Sequence, residues 1–221
     1  MSDITVSFSH NDYKIIVKKS LYKGFFKLDR FGIQHRLFAG GSTDTFSREL
    51  FERGEAAAVL LYDPNEDVVV LTEQFRIGAA LDNTKTSPWL LEVVAGMIEE
   101  SEQAEEVARR EAQEETGCII QDLIPISSYW SSPGGTSEKI HLYCALVDSR
   151  GVGGIHGLDH EQEDILVRII AFDKAYNGIA SGEINNAATI IALQWLKLNQ
   201  SSLSQHPLDQ KKQSYIAIKT D

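Results

Sequence analysis

The chain has 221 residues, 43% of them hydrophobic, with 21 lysines and arginines against 32 aspartates and glutamates, a formal net charge of −11. That composition supports a globular core in one large domain, or a small domain joined to a medium one. It argues against a basic surface for nucleic acid or anionic membrane, although an acidic protein still binds anions through a divalent cation.

Cys118 and Cys144 are the two cysteines, and neither sits in a CxxC spacing. This argues against a disulfide framework and for a reducing compartment. The N-terminus lacks a basic region followed by an apolar run, and no apolar stretch reaches the roughly 18 residues of a membrane span. The expectation is a soluble cytoplasmic protein.

In chain order, "YKIIVKK", "LYKGFFKLD" and "IQHRLF" read as strands broken by Gly24 and Gly32, with "STDTFSREL" as a polar connection. "AAAVLLYD" and "DVVVLTEQF" flank the turn "DPNE" and predict a buried hairpin. "WLLEVVAG" reads as one strand ending at Gly96. A helix follows, with Ser101 as its N-cap, Glu102 in its first turn and Gly117 as the residue that ends it. "IPISSYW" and "EKIHLYCALV" are strands on either side of "SSPGGTS". Residues 148–162 predict a long glycine-rich loop without regular structure. "DILVRIIAF" is a strand, "DKAYNGIASG" a short helix and "NNAATIIALQWLKL" a longer one, before a polar tail after residue 200.

The first of these helices carries the chemistry. "GMIEESEQAEEVARREAQEETGC" holds eight glutamates. At about 100° per residue, Ala104, Val107 and Ala108 lie within about 60° of Glu111, and so do Glu114 and Glu115. The stripe is apolar for two turns and then becomes carboxylate. A solvated acidic helix accounts for Glu99, Glu100, Glu105 and Glu106 but not for glutamates in line with the apolar face. Like charges four residues apart repel, and a divalent cation removes that repulsion. Hard oxygen ligands suit Mg²⁺, with Mn²⁺ as a substitute, better than zinc.

Gly96, Glu102, Arg110, Glu111, Glu114, Glu115 and Gly117 fall at the seven fixed positions of the box G-x5-E-x7-R-E-U-x-E-E-x-G-U. The stretch therefore resembles the Nudix hydrolases; Ala112 and Cys118 depart from the aliphatic preference only at packing positions. The resemblance implies an α+β fold: a Nudix α/β/α sandwich with a mixed sheet, over 51–200, preceded by a small antiparallel β domain over 1–50 and followed by a tail over 201–221. It implies metal ligation by Glu111, Glu115 and the Ala95 carbonyl, orientation of the glutamates by Arg110, and a structural role for Glu102.

Pro133 lies fifteen residues beyond Cys118, and "LYKGFF", "HRLF", "FERGEAA", "EQFR", "SPGGTSE", "GIHGL" and "NNAATIIALQWL" are similar to the bacterial ADP-ribose pyrophosphatases of the Nudix family. The resemblance implies Mg²⁺-dependent hydrolysis of ADP-ribose to AMP and ribose 5-phosphate by a homodimer whose N-terminal β segment packs on the partner. Phe25 and Phe26 would offer an aromatic surface to adenine; as adjacent strand residues they would face opposite sides. Arg48, Glu49, Arg53 and Arg76 would contact substrate, the arginines as donors to the diphosphate. Met97, Ser132, Pro133 and Gly134 would line the site, and Glu138 would reach the ribose.

The general base implied by the same resemblance is Glu161, in "GIHGLDHEQEDI", with Glu163 as a further metal ligand and Glu114 as the alternative base. Glycines 151, 153, 154 and 157 would let this loop close. No HExxH, GxSxG or GxxxxGK[ST] occurs. Two other readings stay open, a pyrophosphatase for another nucleoside diphosphate sugar such as GDP-mannose and a non-catalytic ADP-ribose sensor.

Overall fold

The computed structural model describes residues 4–81, 87–158 and 162–203. Glu161 and nearly all of the 201–221 tail lie outside the described residues. The chain divides into two compact units, Met1–Glu55 with Trp130–Lys139, and Ala56–Tyr129 with Ile140–Asp221.

In the first unit, β1 (Tyr13–Lys23), β2 (Lys27–His35) and β3 (Phe46–Glu52) form an antiparallel sheet in that order. Strand β3 occupies part of the expected polar connection: pairing of Phe46–Glu52 along β2 outweighs its polar composition. Segment 130–139 joins this unit through backbone bonds, Phe51 N–H to Gly135 O at 2.9 Å and Ser137 N–H to Phe51 O at 3.1 Å. Phe25 and Phe26 sit in the turn between β1 and β2, closed by Gly24 N–H donating to Phe26 O at 2.9 Å. The pleat argument for opposite faces therefore does not govern them, and their rings meet edge to face at 4.8 Å.

The second sheet contains β4 (Glu55–Asp63), β5 (Val68–Phe75), β6 (Trp89–Glu92), β7 (Val94–Met97), β8 (Ile124–Trp130), β9 (Lys139–Leu146), β10 (Gly154–His156) and β11 (Ile165–Ala171). Among the described residues its order is β10-β11-β5-β4-β9-β8, with β6 on β5 and β7 on β4. The α-helices among the described residues are α1 (Ile77–Ala80), α2 (Ala104–Thr116), α3 (Phe172–Ser181) and α4 (Ala187–Leu203).

Successive strand side chains point to opposite faces. On one side of the sheet, Ala58, Leu60 and Tyr62 pack with Phe172 and Ala175 of α3 and with Ala192, Leu193 and Leu196 of α4. On the opposite side, Ala57, Val59 and Leu61 pack with Val107, Ala108 and Ala112 of α2. Burial of β4 on both faces explains its unbroken apolar run. The result is the expected α/β/α sandwich.

Two further elements differ from expectation. "WLLEVVAG" is two strands: β6 pairs with β5 and β7 with β4, and between them Val93 N–H donates to Thr189 Oγ1 of α4 at 3.0 Å instead of to a strand. The expected loop 148–162 contains β10, which pairs antiparallel with β11. Gly153 and Gly154, at φ 141° and 94°, let the chain turn into that strand.

Candidate active site

Helix α2 begins at Ala104, not after Ser101. Glu102 N–H donates to Glu99 O at 3.1 Å and Glu99 N–H to Glu102 Oε2 at 3.0 Å. This closed turn carries Ser101 to φ 85°, so Gln103 takes the N-cap position and its N–H donates to Glu106 Oε2 at 3.3 Å. At the other end Gly117 has φ 73°, with its N–H on Gln113 O at 2.9 Å and Cys118 N–H on Ala112 O at 3.2 Å. Glycine meets that left-handed geometry without strain.

The buried face of α2 runs Val107, Ala108, Ala112 and then Glu115, which is 3% exposed. Glu115 Oε2 is a buried acceptor with no hydrogen-bond partner among the described residues. Burial pushes the Glu115 pKa up to about 8; Glu111 and Glu163 add to the rise, while Arg76 and the Ala95 backbone oppose it. Burial likewise pushes Glu111 up to about 7, with Arg110 opposing and Glu114 and Glu163 adding. Both carboxyls resist ionisation because charge is costly there.

Gly96 on β7 lies directly under Glu111: a Cβ at Gly96 would collide with the Glu111 carboxylate. Arg110 gathers the outer carboxylates, with Nη1 2.8 Å from Glu111 Oε1 and 3.1 Å from Glu114 Oε2, and Nε 3.5 Å from Glu102 Oε1. Glu163 is half-buried, and a Cβ on Gly157 (φ 104°) would lie 2.8 Å from both its Cβ and its carbonyl oxygen. Ala95 and Met97 face Ala58 and Ala56 across the β4–β7 pair.

Arg76, after β5, donates from Nε to Glu92 Oε2 at 2.6 Å. Sequence reasoning singled out neither Glu92 nor Gln74, both of them buried polar residues. Gln74 Nε2 has no hydrogen-bond partner among the described residues. The signal that could have found Glu92 is a polar residue interrupting the apolar run "WLLEVVAG"; Gln74 follows Thr72 and Glu73 and carries no such signal.

In the first unit, Phe26 packs on Phe51 at 5.1 Å, and the Arg53 guanidinium lies 5.5 Å from the Phe26 ring centre. Arg53 Nε pairs with Glu138 Oε1 at 3.0 Å, and Arg53 N–H donates to Ser137 Oγ at 3.0 Å. Ser132, Pro133 and Gly134 form an exposed turn closed by Gly135 N–H and Thr136 N–H on Ser132 O. Phe26, Arg53, Glu138 and this turn are thus brought together. Arg48 instead stacks on Phe46 at 4.6 Å, and Glu49 pairs with Arg30 at 2.7 Å.

Among the described residues, no three His, Cys, Asp or Glu side chains are already gathered as a metal cluster. The donor set nevertheless fits a divalent cation: a buried unpartnered carboxylate oxygen on Glu115, a second carboxylate seated on Gly96, and two pKa values raised by burial and by neighbouring carboxylates. A cation offsets both causes.

Residues 52–216 match the family model described as NUDIX domain. The chain is 50% identical over 201 residues to an ADP-ribose pyrophosphatase of Escherichia coli strain K12, covering 91% of this chain and 95% of that protein. It is 35% identical over 160 residues to a GDP-mannose pyrophosphatase of Escherichia coli O1:K1 / APEC, covering 72% and 82%. A solved structure titled as an ADP compounds hydrolase shares the fold, with TM-score 0.66 at 17% identity over 90% of this chain and all of that one. The chain belongs to the Nudix family.

Proposed function

We propose that the chain is a Mg²⁺-dependent pyrophosphatase that hydrolyses ADP-ribose to AMP and ribose 5-phosphate. The reading is carried by the half-buried Glu111 and buried Glu115 carboxylates in a chain half-identical to an ADP-ribose pyrophosphatase. The weaker and shorter match to a GDP-mannose pyrophosphatase favours it over that substrate.

Glu111, Glu115, Glu163 and the Ala95 carbonyl would hold the cation, which supplies positive charge to the diphosphate and makes water easier to deprotonate. Arg110 holds Glu111 and Glu114 in place through an ion pair to each. Arg76 offers its terminal nitrogens to the diphosphate, and Met97 lines the site. Glu161 takes the proton from water, with Glu114 as the alternative. The aromatic Phe25–Phe26 turn suits adenine, Arg53 and Glu138 suit ribose and phosphate, and Arg48, Glu49 and the 132–134 turn complete the contacts.

We also read the protein as a homodimer, because edge strand β1 exposes Ile15, Ile16, Val17 and Tyr22. Two buried free cysteines fit a reducing cytoplasm, and no helix among the described residues is long and apolar enough to cross a membrane. The acidic charge disfavours nucleic acid. A panel of ADP-ribose, GDP-mannose and other nucleoside diphosphate sugars, with product identification, tests the substrate. AMP and ribose 5-phosphate formed fastest from ADP-ribose are expected; faster turnover of GDP-mannose would overturn the reading.

A further inference from the structure

Glu92 is a carboxylate inside the sheet, with its side chain 7% exposed. Both oxygens are occupied: Oε2 accepts from Arg76 Nε at 2.6 Å and Oε1 from Asn186 Nδ2 at 2.5 Å. Asn186 is itself held, because its Oδ1 accepts from Thr189 N–H and Thr189 Oγ1, each at 3.2 Å. The backbone N–H of Thr189 can only donate, so the Asn186 oxygen must face it and the amide nitrogen must face Glu92. The Thr189 hydroxyl in turn accepts from Val93 N–H at 3.0 Å. Thr189 is fully buried. Donation runs one way from the β6–β7 break through the start of α4 to Glu92, which accepts from Asn186 on one oxygen and from Arg76 on the other.

The consequence falls on the arginine. Its Nε is committed to Glu92, and among the described residues its two terminal nitrogens make no hydrogen bond or ion pair. A guanidinium fixed through Nε presents those nitrogens as a planar fork, the geometry that matches phosphate oxygens. Without Glu92, an ionised Glu115 with its unpartnered Oε2 would be a competing partner for the same cationic side chain.

We propose that Glu92 and Asn186 are positioning residues for substrate: they hold Arg76 with its outer nitrogens turned to the diphosphate and away from the box carboxylates. This rests on the pyrophosphatase reading above. The start of α4 thereby becomes part of substrate recognition through Asn186 and Glu92.

The test compares wild type with Glu92→Gln, Asn186→Ser, Arg76→Ala and the Arg76→Ala/Glu92→Gln double variant. Glu92→Gln conserves volume and still accepts from Asn186, and Asn186→Ser keeps a capping oxygen for α4. Expected is a rise in ADP-ribose KM of roughly 10-fold for Glu92→Gln with kcat within about 2-fold, the signature of lost binding common to ground and transition states. Asn186→Ser should move KM the same way by less. ADP-ribose binding measured by calorimetry in EDTA should weaken in parallel, which excludes a change in turnover alone. In the Arg76→Ala background, Glu92→Gln should add no further KM effect, because both act through one contact.

A merely structural role predicts a lower melting temperature and less active protein at unchanged KM and unchanged ADP-ribose affinity, and that result would overturn the proposal. Additive KM effects in the double variant would also overturn it. Failure of the pyrophosphatase reading is separate: wild type itself would then not turn over ADP-ribose.

Discussion

Gly96 and Glu111 are stacked so tightly that a single methyl group on Gly96 would occupy the place of the Glu111 carboxylate. The atoms in the way are the far end of a flexible side chain, so Gly96→Ala should fold. It should displace Glu111 and lower Mg²⁺-dependent turnover on the order of 10² or more, as a misplaced reacting group does. Activity near wild type, with the melting temperature unchanged, would show that the glycine contact does not place the carboxylate.

Burial of the carboxylates makes stability depend on pH. A carboxyl whose pKa rises on folding binds more protons in the folded chain than in the unfolded one between the two values, so stability falls as pH rises through that window. The window runs from 4.5 to about 7 for Glu111 and from 4.5 to about 8 for Glu115. In EDTA, the melting temperature should fall between about pH 5 and pH 8, and less steeply in Glu115→Gln. Added Mg²⁺ should stabilise wild type more at the upper end of that range. A melting temperature that climbs with pH in EDTA would contradict the buried-carboxylate account.

The exposed apolar side chains of β1 call for a partner surface. Light scattering at micromolar concentration should give the mass of a dimer, and Val17→Lys should shift it toward monomer by placing a charge in an apolar contact. A monomeric wild type with full activity would remove the dimer from the account.

Some of this was legible from residue order because it is local. The helix-period alignment of Glu111 and Glu115 with Val107 and Ala108, and the closing Gly117, depend on α2 alone. Ser101 failed as a cap because the Glu99–Glu102 turn claims that backbone first. The break in "WLLEVVAG" depends on Thr189, 96 residues away from Val93, and β10 on its pairing with β11. Glu92 reads as an interruption of a strand until Arg76 and Asn186 are seen on its two oxygens. Those relationships are tertiary, and no local pattern encodes them.

Glu161 and Glu163 should fail differently. Glu161→Gln keeps shape and removes a proton acceptor, so kcat should drop by roughly 10²–10⁴ with little change in KM. Glu163→Gln should raise the Mg²⁺ concentration for half-maximal rate, with partial rescue by excess metal. Full rescue of Glu161→Gln by Mg²⁺, or an unchanged kcat, would move the base to Glu114.

The most direct measurement is the rate of AMP and ribose 5-phosphate formation from ADP-ribose against Mg²⁺ concentration, for wild type and Glu115→Gln. Glu115→Gln replaces a buried ionisable carboxyl with a neutral amide of similar shape and leaves Val107, Ala108 and Ala112 packed, so it should fold as well as wild type in EDTA. The account predicts equimolar AMP and ribose 5-phosphate from wild type, absent in EDTA, and loss of most turnover in Glu115→Gln at every Mg²⁺ concentration. Turnover near wild type in Glu115→Gln at saturating Mg²⁺ would contradict it.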